Sequence, residues 1–442
     1  MVKILFLKRQ NKVERNYRKY LNFSYFAYIE VIAQFMVDSK SESTQKFMYT
    51  GLLPQDEMLE IAQKFKKLTI GIPKEDQKIE KRICLTPEAV EILVNSGHEV
   101  LIEKSAGEGA RYVDRKYSEK GAFIVEDVKS AFQTDIILKT SPFSIKEIEM
   151  LRGNNQVVIS PLNIMQRTPD YFKKLMNQKV TALAFEFMKD NEGSYQVKQS
   201  MDSINGITAI TVASELLSTT SSGKGVLLGG ISGITPTEVV IIGAGTVAEY
   251  ATRAAIGMGA HVRVFDASPQ KLEALQHKVS SRLYTSIFHP QVIQKALKSA
   301  DVLIGAVDTN KAHIPYYITE EMVMSMKKGT VIIDLNVLDG GCIETSECRS
   351  INDPAIVKHD VIHYSVNNLT SRASRTSSIA LSNILSPIVL ETGNSGGIKT
   401  LLKANPGIRN GVYIYNGILT SEKIGSRFDI PYKNIELLMA AF

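Results

Sequence analysis

The residues best placed to do chemistry are Gly243-Ala244-Gly245-Thr246-Val247-Ala248, which follow four apolar residues, Val239 to Ile242. An apolar strand that enters a glycine turn and then a helix is suited to holding a pyrophosphate. Gly243 permits the tight turn, and Gly245 lets the backbone approach the phosphates. Ala248 takes the third position, where a small side chain allows helix and strand to pack closely. Thr246 and Val247 open the helix, whose first N–H groups point at the anion. A second strand, His261 to Phe265, is followed by Asp266, 21 residues after Gly245. A carboxylate there accepts from both ribose hydroxyls and repels a 2′-phosphate, so the expected cofactor is NAD rather than NADP. A glycine pattern alone is weak, but here strand, helix, second strand and terminal acid agree. The alternatives are a nucleotide-free domain of the same shape and a flavin or NADP site.

Other chemical pairs are weaker. Cys342 and Cys348 have five residues between them, an unusual spacing for zinc, and no partners are apparent. His359 and His363 lie in a stretch that reads as turn into strand, which suggests a strand-edge role. With Cys84 there are three cysteines in all. That is too few for a disulfide scaffold and fits a reducing cytoplasm.

The chain that must position these residues has 442 of them, enough for two to three domains. At 44% hydrophobic and 22% charged it can build a packed core. No apolar run of about 20 residues suggests a membrane span. Five of the six net positive charges fall in residues 1–35, where seven Lys and Arg face only Glu14 and Glu30. The remaining body is nearly neutral, so no nucleic-acid partner is expected. The tail mixes these cations with aromatic residues such as Tyr17, Tyr20 and Phe23. It reads as an upstream extension, with a membrane-surface or RNA-binding arm as the alternative, and its removal is expected to leave folding unchanged.

From residue 67 the pattern becomes α/β. Strands are expected at 68–73, 98–103, 135–139, 156–160, 182–187, 301–307 and 330–337. Helices are expected at 86–97, 144–151, 170–178, 205–221 and 376–393, the last bent before Pro387. Strands alternating with helices imply parallel sheets. The expected fold class is α/β, with two doubly wound, Rossmann-like domains and a cleft between them. One domain is discontinuous. The expected division is an extension and linker over 1–66, a substrate domain over 67–196, an NAD-binding domain over 197–374, and a return to the substrate domain over 375–442.

Several blocks carry a family resemblance. GIPKEDQKIEKRICLTP (71–87), SGHEVLIEKSAGEGARYVD (96–114), the lead into the glycine turn (223–260), VIIDLNVLDGGCIETS (331–346) and HYSVNNL (363–369) occur in order. Together they resemble the alanine dehydrogenase and NAD(P) transhydrogenase alpha-subunit family, from about residue 67 to the end. The dehydrogenase branch fits better because no membrane segment is seen. The resemblance implies NAD-linked oxidative deamination of L-alanine to pyruvate and ammonium. It also implies a small amino-acid or 2-oxo-acid substrate and a homo-oligomer.

Carried over residue by residue, the resemblance is uneven on the substrate side. Arg82 stands where the family has its carboxylate-binding arginine, and a two-pronged guanidinium suits that role. The family's substrate lysine falls at Ser141, with Lys139 two residues earlier; along a strand the two share a face about 7 Å apart. Lys139 is therefore either a substitute or a solvated strand-end lysine. Asn163 takes the place of the family's catalytic histidine, and residues 99–260 contain no histidine at all. The family's aspartate position is Leu338, and Asp339 comes one residue late. On the cofactor side, Asn368 and Leu369 match the pair near the nicotinamide, and Lys271 matches a basic position near the adenosine. Asp202 replaces a serine close to the cofactor, where an acid could repel pyrophosphate. The altered positions imply slow turnover. They keep open a relative that binds NAD or a small acid without efficient catalysis, and beyond that a soluble transhydrogenase-like subunit.

Overall fold

Short apolar runs between 69 and 184 become six parallel strands: β1 (Thr69–Ile72), β2 (Glu99–Glu103), β3 (Phe123–Val125), β4 (Ile136–Leu138), β5 (Val157–Ser160) and β6 (Thr181–Ala184). β4, β5 and β6 are buried throughout, as strands covered by helices on both faces must be. A second set follows: β7 (Glu238–Ile242), β8 (His261–Phe265), β9 (Tyr284–Ser286), β10 (Val302–Gly305), β11 (Val331–Asp334), β12 (Ala355–Lys358) and β13 (Val361–Tyr364). The chain then returns with β14 (Val412–Tyr415) and β15 (Ile418–Leu419). The computed structural model describes residues 65–440 except 222, 280, 308–316 and 338–339, all within one compact unit, Gln63–Phe442. The basic tail, and with it the expectation about its role, lies outside the described residues.

The strands form two sheets. The first runs β15-β14-β6-β5-β4-β1-β2-β3, and the second β12-β13-β11-β10-β7-β8-β9. Both are parallel apart from antiparallel edges: β14 on β6 and β15 on β14 in the first, β12 on β13 in the second. The fold class is therefore the expected one, α/β with two doubly wound sheets.

Each sheet reverses its winding once, between β4 and β1 in the first and between β10 and β7 in the second. At such a switch point the connections leave in opposite directions, and the carboxyl ends of the two strands open a crevice that binds ligands.

Two helices and one strand differ from expectation. The helix expected from 205 starts at Gln196 and runs to Leu217, because its first turns are polar and carry little apolar signal. The last long helix, Ser374–Asn394, continues through Pro387. Its residues Leu381, Leu385 and Val389 join Leu68, Ile70 and Val90 in one core, and this packing holds the helix together across the proline. The strand expected over 182–187 stops at Ala184, and residues Phe185–Phe187 form a single 3₁₀ turn. His363 lies on β13, between β11 and β12 rather than at an edge; it is buried and meets the Thr345 hydroxyl at 2.7 Å.

Candidate active site at the two switch points

At the switch point of the second sheet, β7 ends at Ile242 and Gly243 turns the chain with φ +111°. A Cβ at Gly243 would come within 2.5 Å of the Ala306 carbonyl oxygen beyond β10, so the protein itself demands glycine there. Gly245 differs: a Cβ there would meet nothing within 4 Å. Its small size serves no internal packing, as expected where an outside group approaches. Gly245 caps the helix Thr246–Gly257 with no side-chain hydrogen bond, so the first-turn N–H groups keep their donor capacity. Ala248 is fully buried beneath the turn.

Asp266 is 8% exposed and sits against this turn. Its two oxygens accept the Ala244 and Ser268 N–H groups, each at 2.8 Å. A carboxylate has about four acceptor sites, so two remain for hydroxyl donors. Lys271 is exposed in the first turn of the helix Pro269–Val279. Asp202 pairs with Lys198 at 2.6 Å, which offsets the negative charge expected to disturb a pyrophosphate. These residues fit a dinucleotide: oriented N–H donors, a glycine with room beside it, and a carboxylate at the end of the second strand.

The switch point of the first sheet holds a second charged cluster. Lys139 follows β4 directly, and its N–H continues the ladder to the Ile159 oxygen at 3.0 Å. The ammonium is 3% exposed and lies between Glu75, beyond β1, at 3.1 Å and Glu147 at 2.5 Å. It is not a solvated strand-end lysine. Burial works against its charge, but the two carboxylates outweigh this and hold it above the ordinary lysine value. Glu75 also accepts the Thr140 N–H at 2.6 Å, the Ser141 N–H at 3.1 Å and the Ser141 hydroxyl. The Lys139 head therefore reaches the same carboxylate that Ser141 engages.

Arg82 lies farther along the loop that leaves β1. Its side chain is 11% exposed and forms a two-pronged pair with buried Glu80, Nε to Oε1 at 2.8 Å and Nη2 to Oε2 at 2.6 Å. Nη1 donates to the Thr370 hydroxyl at 2.9 Å. Burial opposes the charge, yet Glu80 holds the guanidinium above its ordinary value. Asn368 donates its amide to the same Glu80 oxygen at 2.6 Å and accepts from Thr370 at 3.0 Å. Buried Leu369 packs in the core of the second sheet. Arg82 and Asn368 are 286 residues apart in sequence, and one carboxylate brings them together.

Asn163 is exposed after β5, in the left-handed region at φ +47°. Asp339 lies outside the described residues. Cys342 is buried and Cys348 exposed, which separates the pair. The sequence reading missed the acids Glu75, Glu80 and Glu147. Only Glu80, two residues before Arg82, carried a local hint. The other two reach Lys139 through the register of strands and a helix cap.

The fold and both switch-point clusters mark a two-sheet α/β protein of nucleotide-binding shape, with a buried charged cluster at the switch point of its first sheet. Comparison with known proteins makes this specific. Residues 71–205 match "Alanine dehydrogenase/PNT, N-terminal domain" and residues 209–422 match "Alanine dehydrogenase/PNT, C-terminal domain". The chain belongs to the alanine dehydrogenase/PNT family. It is 36% identical over 371 residues to an alanine dehydrogenase of Methanococcus maripaludis, covering 84% of this chain and 99% of that one. It is 33% identical over 370 residues to an alanine dehydrogenase of Staphylococcus epidermidis, with the same coverage. A solved L-alanine dehydrogenase superposes with a TM-score of 0.76 at 31% identity, covering 82% of this chain and all of that one. A transhydrogenase from Sinorhizobium meliloti shares the fold, with a TM-score of 0.67 at 21% identity over 80% of this chain and 99% of that one. Among the described residues no helix is long and apolar enough to cross a membrane.

Proposed function

We propose that the protein is an NAD-linked alanine dehydrogenase, interconverting L-alanine, NAD and water with pyruvate, ammonium and NADH. The observation that carries this reading is the Arg82–Glu80–Asn368 cluster. It joins the arginine expected to hold a substrate carboxylate to the asparagine expected beside the nicotinamide. When bound, the nicotinamide ring supplies the hydride acceptor for the alanine Cα.

The chain's own residues do the rest. Gly243, Ala244, Gly245, Thr246 and Val247 hold the pyrophosphate, and Asp266 takes the ribose hydroxyls, which favours NAD over NADP. Lys271 lies toward the adenosine end, and Asn368 and Leu369 toward the nicotinamide. Arg82 holds the carboxylate of the acid substrate, exchanging one prong with Glu80. Lys139, kept charged by Glu75 and Glu147, polarises the carbonyl oxygen. Asn163, after β5, and Asp339, which the family resemblance assigns, are the remaining catalytic candidates.

The division at 67–196, 197–374 and 375–442 is supported by which strands join which sheet. Free cysteines fit the reducing cytoplasm. The expected partners are a small amino acid or 2-oxo acid and further copies of the chain. A second reading, binding without efficient turnover, is favoured by Asn163 standing where the family has histidine.

The test is NADH consumption by purified protein with pyruvate plus ammonium, and NADH formation with L-alanine. Turnover at roughly 1–10³ s⁻¹ supports the dehydrogenase and removes the second reading. NADH binding with no turnover of any small 2-oxo acid supports the second.

A further inference from the structure

One buried hydroxyl joins Arg82 to Asn368, that of Thr370 in the 3₁₀ helix Leu369–Ala373. It accepts Arg82 Nη1 at 2.9 Å and donates to Asn368 Oδ1 at 3.0 Å. Asn368 Nδ2 donates to Glu80 Oε2 at 2.6 Å, and the same oxygen accepts Arg82 Nη2 at 2.6 Å. Arg82, Thr370, Asn368 and Glu80 thus close a ring of four side chains. Chemistry fixes the direction of every bond in it. A guanidinium only donates, so Thr370 must accept from Arg82 and give its own hydrogen to Asn368. An ionised carboxylate only accepts, so the Asn368 nitrogen must face Glu80 and its oxygen Thr370. The second Asn368 N–H meets the Ile79 oxygen at 3.5 Å, too far for a good bond.

The backbones on either side of the ring are held independently of it. The Lys81 N–H donates to the Ser371 hydroxyl at 2.8 Å, the Ile83 N–H to Ser378 at 2.9 Å and the Thr86 N–H to Ser382 at 3.0 Å. All three serines are buried, the last two on the helix Ser374–Asn394. The Thr370 carbonyl accepts the Ser377 hydroxyl at 2.8 Å. The loop that carries Arg82 therefore hangs on the stretch of chain that carries Thr370. With both backbones fixed, the side-chain bonds of the ring are the part free to change. When a carboxylate takes one prong of Arg82 from Glu80, Nη1 keeps Thr370. Its other contact among the described residues is Met201 Sδ at 3.4 Å, a weak acceptor.

We propose that Thr370 is a positioning residue that couples binding of the acid substrate to binding of the nicotinamide nucleotide. It holds the Arg82 fork while a substrate carboxylate exchanges with Glu80. It also keeps the Asn368 amide turned so that its second N–H serves the bound nucleotide. The assignment rests on the alanine dehydrogenase reading. A Glu80 oxygen that has lost an Arg82 prong holds its remaining donor, Asn368, more firmly. Substrate binding thus orders Asn368, and an ordered Asn368 anchors Thr370 and with it Arg82. Each ligand then strengthens the other by the same factor, because such coupling is reciprocal. Without the hydroxyl, nothing in the ring tells the Asn368 amide nitrogen from its oxygen on the Arg82 side.

The test is the ratio of the NADH Kd without and with saturating pyruvate, measured on the full chain without ammonium so that no amination occurs. The wild type should bind NADH roughly 5–150-fold more tightly when pyruvate is present. Thr370→Val, of nearly the same shape but without the hydroxyl, should bring this factor close to one. It should also raise the pyruvate KM more than it lowers kcat. Thr370→Ser keeps the hydroxyl and should recover most of the factor. Ser378→Ala removes a backbone partner outside the ring, so it should lower the melting temperature and keep the factor. A wild type that aminates pyruvate with a factor of one overturns the proposal and leaves the alanine reading standing, and this needs no variant. A Thr370→Val protein with the wild-type factor also overturns it, as does a Ser378→Ala protein that loses the factor as fully as Thr370→Val. A wild type that binds NADH but neither binds nor turns over any small 2-oxo acid overturns the alanine reading, and this assignment with it.

Discussion

At the scale of residues, buried charges in the first sheet are shared rather than singly paired. Arg82 and Asn368 share Glu80, and Lys139 and Ser141 share Glu75. Removing a shared carboxylate leaves a buried cation without its counter-charge. Glu80→Ala should therefore destabilise the fold by about 3–5 kcal/mol, read in urea unfolding. Arg82→Lys keeps the charge but loses the fork. Its expected result is a clear rise in KM for pyruvate with little change in the Kd for NADH, and an unchanged KM would remove Arg82 from the site. Stability should also depend on pH in an unusual direction. Burial raises Asp334 to about 6 and Glu186 to about 7, above the values of unfolded carboxylates. Between pH 4.5 and 6 the folded state holds protons that the unfolded chain has released. Each group then costs stability as pH rises, about 1.4 kcal/mol per unit in the limit of full retention. The contribution is present at low pH and lost as pH climbs through the folded values. Glu186→Gln and Asp334→Asn should each flatten this fall in thermal melts taken from pH 5 to 8.

At the scale of elements, the glycine turn separates two demands that look alike in sequence. Gly243→Ala would press a methyl group against the Ala306 oxygen and strain a positive φ, so it should lower the melting temperature and abolish NADH binding together. Gly245→Ala meets open space and should leave the melting temperature nearly unchanged while weakening NADH. Gly206, on the helix Gln196–Leu217, faces the Val247 oxygen, where a Cβ would come within 2.5 Å. Gly206→Val should push that helix off the nucleotide-binding helix and destabilise strongly, a role that no local pattern marks. The motif around Gly243 was legible because strand, turn, helix and Asp266 are contiguous and each obeys a local rule. Glu186 was not: ALAFEF reads as one buried strand, and only β14, arriving from 412–415, reveals where β6 ends and the turn begins. The polar first turns of the helix from Gln196 were missed for a related reason. They are ordered by packing against other elements, which periodicity within the segment does not report.

At the scale of the whole molecule, the first sheet is not finished by the segment that begins it. β14 covers β6, and β15 covers β14. Leu381, Leu385, Val389, Leu401 and Leu402 fill the core beneath β1 and β2. A chain ending at 373 keeps every strand of the second sheet and loses this cover. It should expose β6 as a bare edge and unfold the residues 67–196 first, seen as early proteolysis there.

This arrangement in space also imposes an order in time. Between Ala184 and Val412 lie 227 residues, which at a synthesis rate of about 5–20 residues per second take roughly 11–45 s to appear. For that interval a newborn chain carries an incomplete sheet with an apolar flank. The second sheet, whose strands all lie within 238–364, can close before the wait is over. The half that holds Arg82 and Lys139 is thus begun first and completed last, and it is the half whose maturation depends on protection while the rest of the chain is made.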